Sequence, residues 1–227
     1  MSAFIALCSF SSCSQYEVTY SCDKEVNTWV KSNKSKIKRM NRSEWKKLPS
    51  HLAKSVYIAF SAKQKMEFWL DKINEVQTLG WSNDEKAHIR KIAKFIIEHP
   101  QYFNEELLTD KQLDEIEMYF YIWKTDAIKK WGWSDKLCYA IAGSGLQIKN
   151  RKGDFENQTI YENKLGLDKY NPHFDPSIPS VPDCNCNQSA DFCMITTCVK
   201  SKCSEVKGCG WLCLQTCNGE CEVGIMP

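Results

Sequence analysis

Nine of the chain's thirteen cysteines fall within the 38 residues from Cys184 to Cys221. They are Cys184, Cys186, Cys193, Cys198, Cys203, Cys209, Cys213, Cys217 and Cys221, and no other feature restricts the possible folds as much. Without them the segment is poor in apolar side chains, chiefly Phe192, Ile195, Val199, Val206, Trp211, Leu212 and Leu214. A segment of about 40 residues rarely buries enough surface to offset its chain entropy, so it folds through crosslinks, a metal or a partner. In the simplest account, a disulfide closing a loop of about 15 residues removes roughly 3 kcal/mol of unfolded-state entropy.

The spacing discriminates among the three chemistries open to such a segment. Zinc sites use paired C-x2-C knuckles, often with histidine. Here the intervals are one, six, four, four, five, three, three and three residues, and the tail has no histidine. A metallothionein-like cluster tolerates the count but has little use for Phe192, Ile195 and Trp211. Thiol redox catalysis prefers C-x2-C, which occurs nowhere in the chain. Disulfides are therefore expected, with no metal or cofactor, and their pairing is left open. Because nine is odd, at least one tail cysteine is free or bonds outside the tail. Cys22 and Cys138 are the candidate extra partners, although Cys138 reads equally as a buried core thiol. Phe192 and Trp211 read as anchors of a small core within the tail, or else as contacts for a receptor.

Disulfides require an oxidising compartment. The opening "MSAFIALCSFSSCSQ" has a short apolar run, Ala3 to Leu7, followed by small residues and Cys13, with no positive charge ahead. That pattern is expected for a signal peptide lacking its front, with Met1 internal to a longer precursor; a frayed apolar end is the alternative. "FSSCS" resembles the lipobox of bacterial lipoproteins and makes Cys13 the candidate lipidation site. Cys8 is less suited, because bulky Leu7 precedes it, and simple cleavage stays open. The expected location is extracytoplasmic, either secreted or held at a cell surface through a lipid. No run of eighteen apolar residues predicts a spanning helix.

From about Cys22 to Ile148 apolar residues recur at helical spacing. Ala62, Met66, Trp69, Ile73 and Val76 form one stripe behind a capping box at Ser61 and Gln64, ending at Leu79-Gly80. Ser82 with Glu85 opens a second, with Ile89, Ile92, Ala93 and Ile96, stopped before Pro100. Thr109 with Gln112 opens a third, through Leu113, Ile116, Phe120, Trp123, Ala127 and Trp131. A shorter helix after Ser134 uses Leu137 and Ile141 and fades at "GSG", Gly143 to Gly145. An earlier pair, carrying Val26, Trp29 and Val30 and then Trp45 and Leu48, completes a bundle. Eight Trp, nine Tyr and ten Phe are ample for its core.

The fold class predicted is mainly α: a helical bundle, a proline-rich linker and a small disulfide-rich C-terminal module. The expected divisions are a signal-like segment at 1–21, the bundle at 22–150, a linker at 151–183 and the module at 184–227. The linker carries a turn at Lys152-Gly153, then "NPHFDPSIPSVP", whose four prolines favour an extended course.

The remaining motifs are weak. Lys31 to Lys47 contains eight basic residues against one acid, Glu44, which suits a solvated face or a contact with anionic lipid, lipopolysaccharide or nucleic acid. No nucleic-acid-binding signature accompanies the charge, so no nucleic-acid partner is expected. "GSG" lacks nucleophile-elbow and phosphate-loop spacing and reads as a helix stop. His51, His88, His99 and His173 share no motif and suit surface or capping roles. No nucleophile and base stand together, so an enzyme is not expected.

In its opening C-x-C, in "SADFC", in "GCGW" from Gly208 to Trp211 and in the closing "CNG", the tail resembles fulvocin C, a short cysteine-stapled bacteriocin. The helical region, with "CDKEVNTWV", "AFSAKQKMEFW" and "GWSDKLCYAI", is similar to the bacterial family of fulvocin C-related proteins. The middle cysteines differ in spacing and Cys221 is additional, so the disulfide pairing is not carried over. The resemblance implies an exported antibacterial module whose partner is an envelope component of bacterial cells. Two alternatives stand beside it: a non-toxic, lipid-anchored surface binding or adhesion protein, and a metal-binding cysteine-rich protein.

Overall fold

Capping boxes set the start of each long helix. The side chains of Ser61, Ser82 and Thr109 each accept from the backbone N–H three residues on, and Gln64, Glu85 and Gln112 reach back to the N–H of the cap. The computed structural model describes residues 18–104, 108–156, 197–200, 206–217 and 219–222. Among these the helices are α1 (Lys24–Ser32), α2 (Lys34–Ile37), α3 (Arg42–Trp45), α4 (Ser50–Ile58), α5 (Ala62–Val76), α6 (Asn83–Glu98), α7 (Asp110–Trp131) and α8 (Asp135–Ala142). The fold is thus mainly helical, and no described helix is long and apolar enough to cross a membrane.

Each expected stripe faces inward. Trp69, Ile73, Ile89, Ile92, Ile96, Ile116, Phe120 and Ala127 lie in one buried cluster where α5 packs on α6, α6 on α7 and α7 on α8. Gly132 ends α7 in the left-handed conformation, as a C-terminal glycine does. Before α5 the structure holds four short helices where the sequence pattern predicts a pair. The unexpected α4 starts behind Pro49 without a capping side chain, so it lacks the signal that marks the others. Its Leu52, Val56 and Tyr57 are nonetheless buried.

Residues 143–156 close the body. Gly145 meets Phe68 and Trp45 so closely that a Cβ there would overlap the Phe68 ring. The turn expected at Lys152-Gly153 forms a short hairpin, with Ile148 bridged to Phe155 and Gly153 at φ 82°. Arg151 pairs with buried Glu85 and stacks over Trp81. Residues 151–156, placed by sequence in the linker, therefore pack as part of the helical body.

The described tail contains two nested antiparallel ladders. β1 (Thr197–Lys200) pairs with β4 (Gly219–Glu222), and inside them β2 (Val206–Cys209) pairs with β3 (Gln215–Cys217). Between β2 and β3 the chain turns through Gly210 to Leu214, with a short 3-10 segment at Trp211–Cys213.

Candidate functional site

The β2–β3 turn does not stand apart from the helices; it is packed into them. Trp211 and Leu212 are 2% and 0% exposed and belong to the same apolar cluster as the helical stripes. Trp211, expected to anchor a core inside the tail, lies instead on α7, its ring stacked on Phe120 at 5.0 Å and 10°. The reason is the shortage of apolar side chains in the tail: a tryptophan is desolvated more fully against a helical core than by its own strand neighbours.

Polar groups fix the register of this seam. Trp69 Nε1 donates to Tyr57 Oη at 2.9 Å, and Tyr57 Oη donates to the Leu212 carbonyl at 3.1 Å, so α5 and α4 together hold the turn backbone. Lys54 Nζ lies 3.4 Å from Cys209 Sγ. Gln215, also buried, donates its amide to Glu117 of α7. Burial, and after it the neighbouring Cys213, pushes the Tyr57 hydroxyl well above its ordinary range, keeping it a donor.

The backbone of the turn is unusual in the way a shaped contact requires. Gly208 and Gly210 have φ of 88° and 70°. Ile58 of α4 stands against Gly208, and the Gln215 amide fills the space a Cβ of Gly210 would need. Leu212 and Cys213, which carry side chains, are also left-handed at φ 52° and 53°. Each such residue costs about 1–3 kcal/mol and persists only where its surroundings hold it.

The cysteines sort into several states. Cys209, at the seam, and Cys22, just ahead of α1, are each in a disulfide. Cys213, one of the nine candidate disulfide cysteines, is a free thiol, one of the two outcomes their odd number allows. The left-handed turn places it at the seam, where burial pushes its pKa up to about 12 despite the opposing charges of Lys54 and Lys65. Cys138 is likewise free, fully buried in α8, and takes the core-thiol role rather than that of a staple. Cys198 stands opposite Cys221 across β1 and β4, and Cys217 opposite Val206 across β2 and β3. Cys13, Cys184, Cys186, Cys193, Cys203 and Phe192 lie outside the described residues, as does His173. Among the described residues no group of three or more His, Cys, Asp or Glu is arranged to hold a metal ion.

Two internal polar clusters lie within the helical body. Glu75 accepts two hydrogen bonds from Arg42, each 2.9 Å, and one from Lys46 at 2.7 Å. Burial would raise the Glu75 pKa, but these donors outweigh it and hold the carboxyl below its usual range. Lys72, fully buried, donates to the Leu146 carbonyl; burial first, then Arg42, drives its pKa far down. Arg42 and Lys46, read from sequence as part of a basic face, are thus engaged internally, while Lys34, Lys36, Lys38, Arg39 and Lys47 remain partly or fully exposed. In the second cluster His88 is buried, not on the surface. Its Nε2–H donates to the Trp123 carbonyl at 2.9 Å, and its ring stacks on Trp123. Burial, opposed by that hydrogen bond, lowers its pKa. His99 does occupy the C-terminal cap of α6.

The sequence pattern singles out Phe120, as a stripe residue, and Trp211, but misses Lys54, Tyr57 and Glu117 as seam residues. Tyr57 and Lys54 sit on the uncapped α4, and nothing local marks Glu117. Compared with known proteins, the chain matches no family model, no curated protein and no solved structure.

Proposed function

We propose that this is an exported bacterial protein whose cysteine-rich tail acts on an envelope component of competing bacterial cells, as a bacteriocin-like module carried by a helical body. The observation that carries the reading is the form of "GCGW", one of the stretches in which the tail resembles fulvocin C. Both glycines are left-handed, the cysteine between them is crosslinked, and the tryptophan is the main apolar anchor of the turn. This is a specific backbone shape rather than a loose cysteine cluster. Disulfides at Cys22 and Cys209 support an oxidising, extracytoplasmic location. No catalysis, cofactor or nucleic-acid partner enters the reading.

Spotting the full-length oxidised protein, intact and cut between Pro179 and Val181 at an inserted protease site, on lawns of a broad bacterial panel tests it. Growth inhibition by either form on some strains is expected. Inhibition by neither on any strain removes the antibacterial reading.

The lipobox-like "FSSCS" favours one second reading, a surface-anchored binding protein without killing activity, because an anchored toxin diffuses poorly. A diacylglyceryl group on Cys13, together with capture of an envelope component and no inhibition, would select that alternative.

A further inference from the structure

Helix α7 is apolar on two opposite faces. Ile116, Phe120, Trp123 and Ala127 are buried on one. At about 100° of turn per residue, Met118, Tyr121, Ile122 and Ile128 share the other, within an arc of about 120°. They are 60%, 63%, 53% and 36% exposed, four of the six large apolar side chains exposed among the described residues. One exposed apolar residue needs no explanation, but four along one helix form a patch, and a helix apolar all round is ordinarily buried all round. The seam with the tail uses Phe120 and Glu117 instead. The outer face also carries a charge at each end: Asp114 lies seven positions before Tyr121, and Lys129 seven after Ile122. Lys124 pairs with Asp135 and Lys130 with Asp126, whereas Asp114 and Lys129 make no ion pair among the described residues.

We infer that this outer face of α7 is the contact surface of a symmetric dimer, and that its occupant is the α7 of a second copy of this chain, packed antiparallel. A two-fold axis between Tyr121 and Ile122 puts those residues at the centre and sets Asp114 of each copy against Lys129 of the other, so the face is complementary to itself. A parallel pair would set like charges together. An anionic lipid surface fits less well, because Asp114 at one end opposes it. A seam along one helix of 22 residues, about 33 Å long, buries less than the roughly 1,600 Å² of a standard interface. The dimer is therefore weak, with a dissociation constant on the order of 10 μM. Dimerisation through α7 is independent of the function proposed above.

Sedimentation equilibrium of the full-length oxidised protein, shown free of covalent dimer by non-reducing electrophoresis, tests this over about 1–500 μM. A reversible monomer–dimer equilibrium is expected. Tyr121→Glu and, separately, Ile122→Ser should each weaken it at least about tenfold, with far-UV ellipticity and the urea midpoint unchanged, because both side chains are exposed in the single copy. Asp114→Lys creates two like-charge contacts by symmetry and should weaken the dimer about fivefold or more, and adding Lys129→Asp should restore it. The dimer is overturned if the protein is monomeric throughout, or if it associates but ignores Tyr121→Glu and Ile122→Ser. Failure of Lys129→Asp to rescue Asp114→Lys overturns the antiparallel pairing. Retention of wild type on phosphatidylglycerol vesicles, lost in Tyr121→Glu and without self-association, would give the face to a membrane and equally overturn the dimer.

Discussion

Gly210→Ala strikes the turn at its tightest point. Gly210 sits at φ 70° and ψ −161°, in a region open at low cost only to glycine, so a side chain adds about 1–3 kcal/mol of backbone strain. The new Cβ would occupy the place of the Gln215 amide. Moving that amide gives up its bond to Glu117, worth about 1.5–3 kcal/mol for a charged acceptor. The folded state is then weakened by about 3–6 kcal/mol, roughly two to four orders of magnitude in the folding equilibrium. The assay is urea unfolding read by far-UV circular dichroism, since the turn shares one buried cluster with the helices. Gly132→Ala is the control: its φ is 65°, but nothing lies within 4 Å of the added Cβ. It should cost about 1–2 kcal/mol. Gly210→Ala combined with Gln215→Ala should remain destabilised, because the strain persists when the overlap is gone. If Gly210→Ala costs no more than Gly132→Ala, the reasoning fails.

Three further outcomes follow from the interior. Burial would raise the Glu85 pKa, but hydrogen bonds from Ser82 and Trp133, with the charge of Arg151, lower it. The folded form therefore binds fewer protons than the unfolded one, so this stabilisation is present above pH of about 4.5 and lost as pH falls through the folded value. Glu85→Gln should accordingly cost about 1–3 kcal/mol at pH 7, with the difference from wild type shrinking on acidification in paired urea titrations. For Lys72 the unfolded chain takes up a proton below about pH 10.5 and the folded one only much lower, so stability is lost as pH falls from 10.5. Lys72→Met should abolish that slope, and the urea midpoint of wild type relative to the variant should rise between pH 7 and 9. Gly145→Ala should destabilise by about 1–3 kcal/mol through overlap with Phe68, and Phe68→Leu should recover part of this in a double-mutant cycle. Strict additivity of the two changes would contradict the overlap.

How much of this is legible in the sequence depends on how local the cause is. Ser61, Ser82 and Thr109 with their partners three residues on, the stripes behind them, the stop at Gly143 and the turn at Gly153 are all decided within a few residues, and each appears where expected. α4 has no capping side chain and leaves no such mark. Arg42 and Lys46 resemble surface charge because their partner, Glu75, lies 33 and 29 positions away.

The sequence by itself determined a helical body with defined helix starts and a tail too poor in apolar side chains to fold on hydrophobicity alone. Only the tertiary structure decided where Trp211 and Leu212 go, which thiols stay free, and that Tyr57, Glu117 and Phe120 receive the turn. Helix caps and periodicity act over one or two turns of chain and leave a local signature. Docking joins Gly208–Gln215 to residues about 90 to 160 positions earlier. Such packing depends on shape complementarity between finished surfaces, which no local pattern encodes.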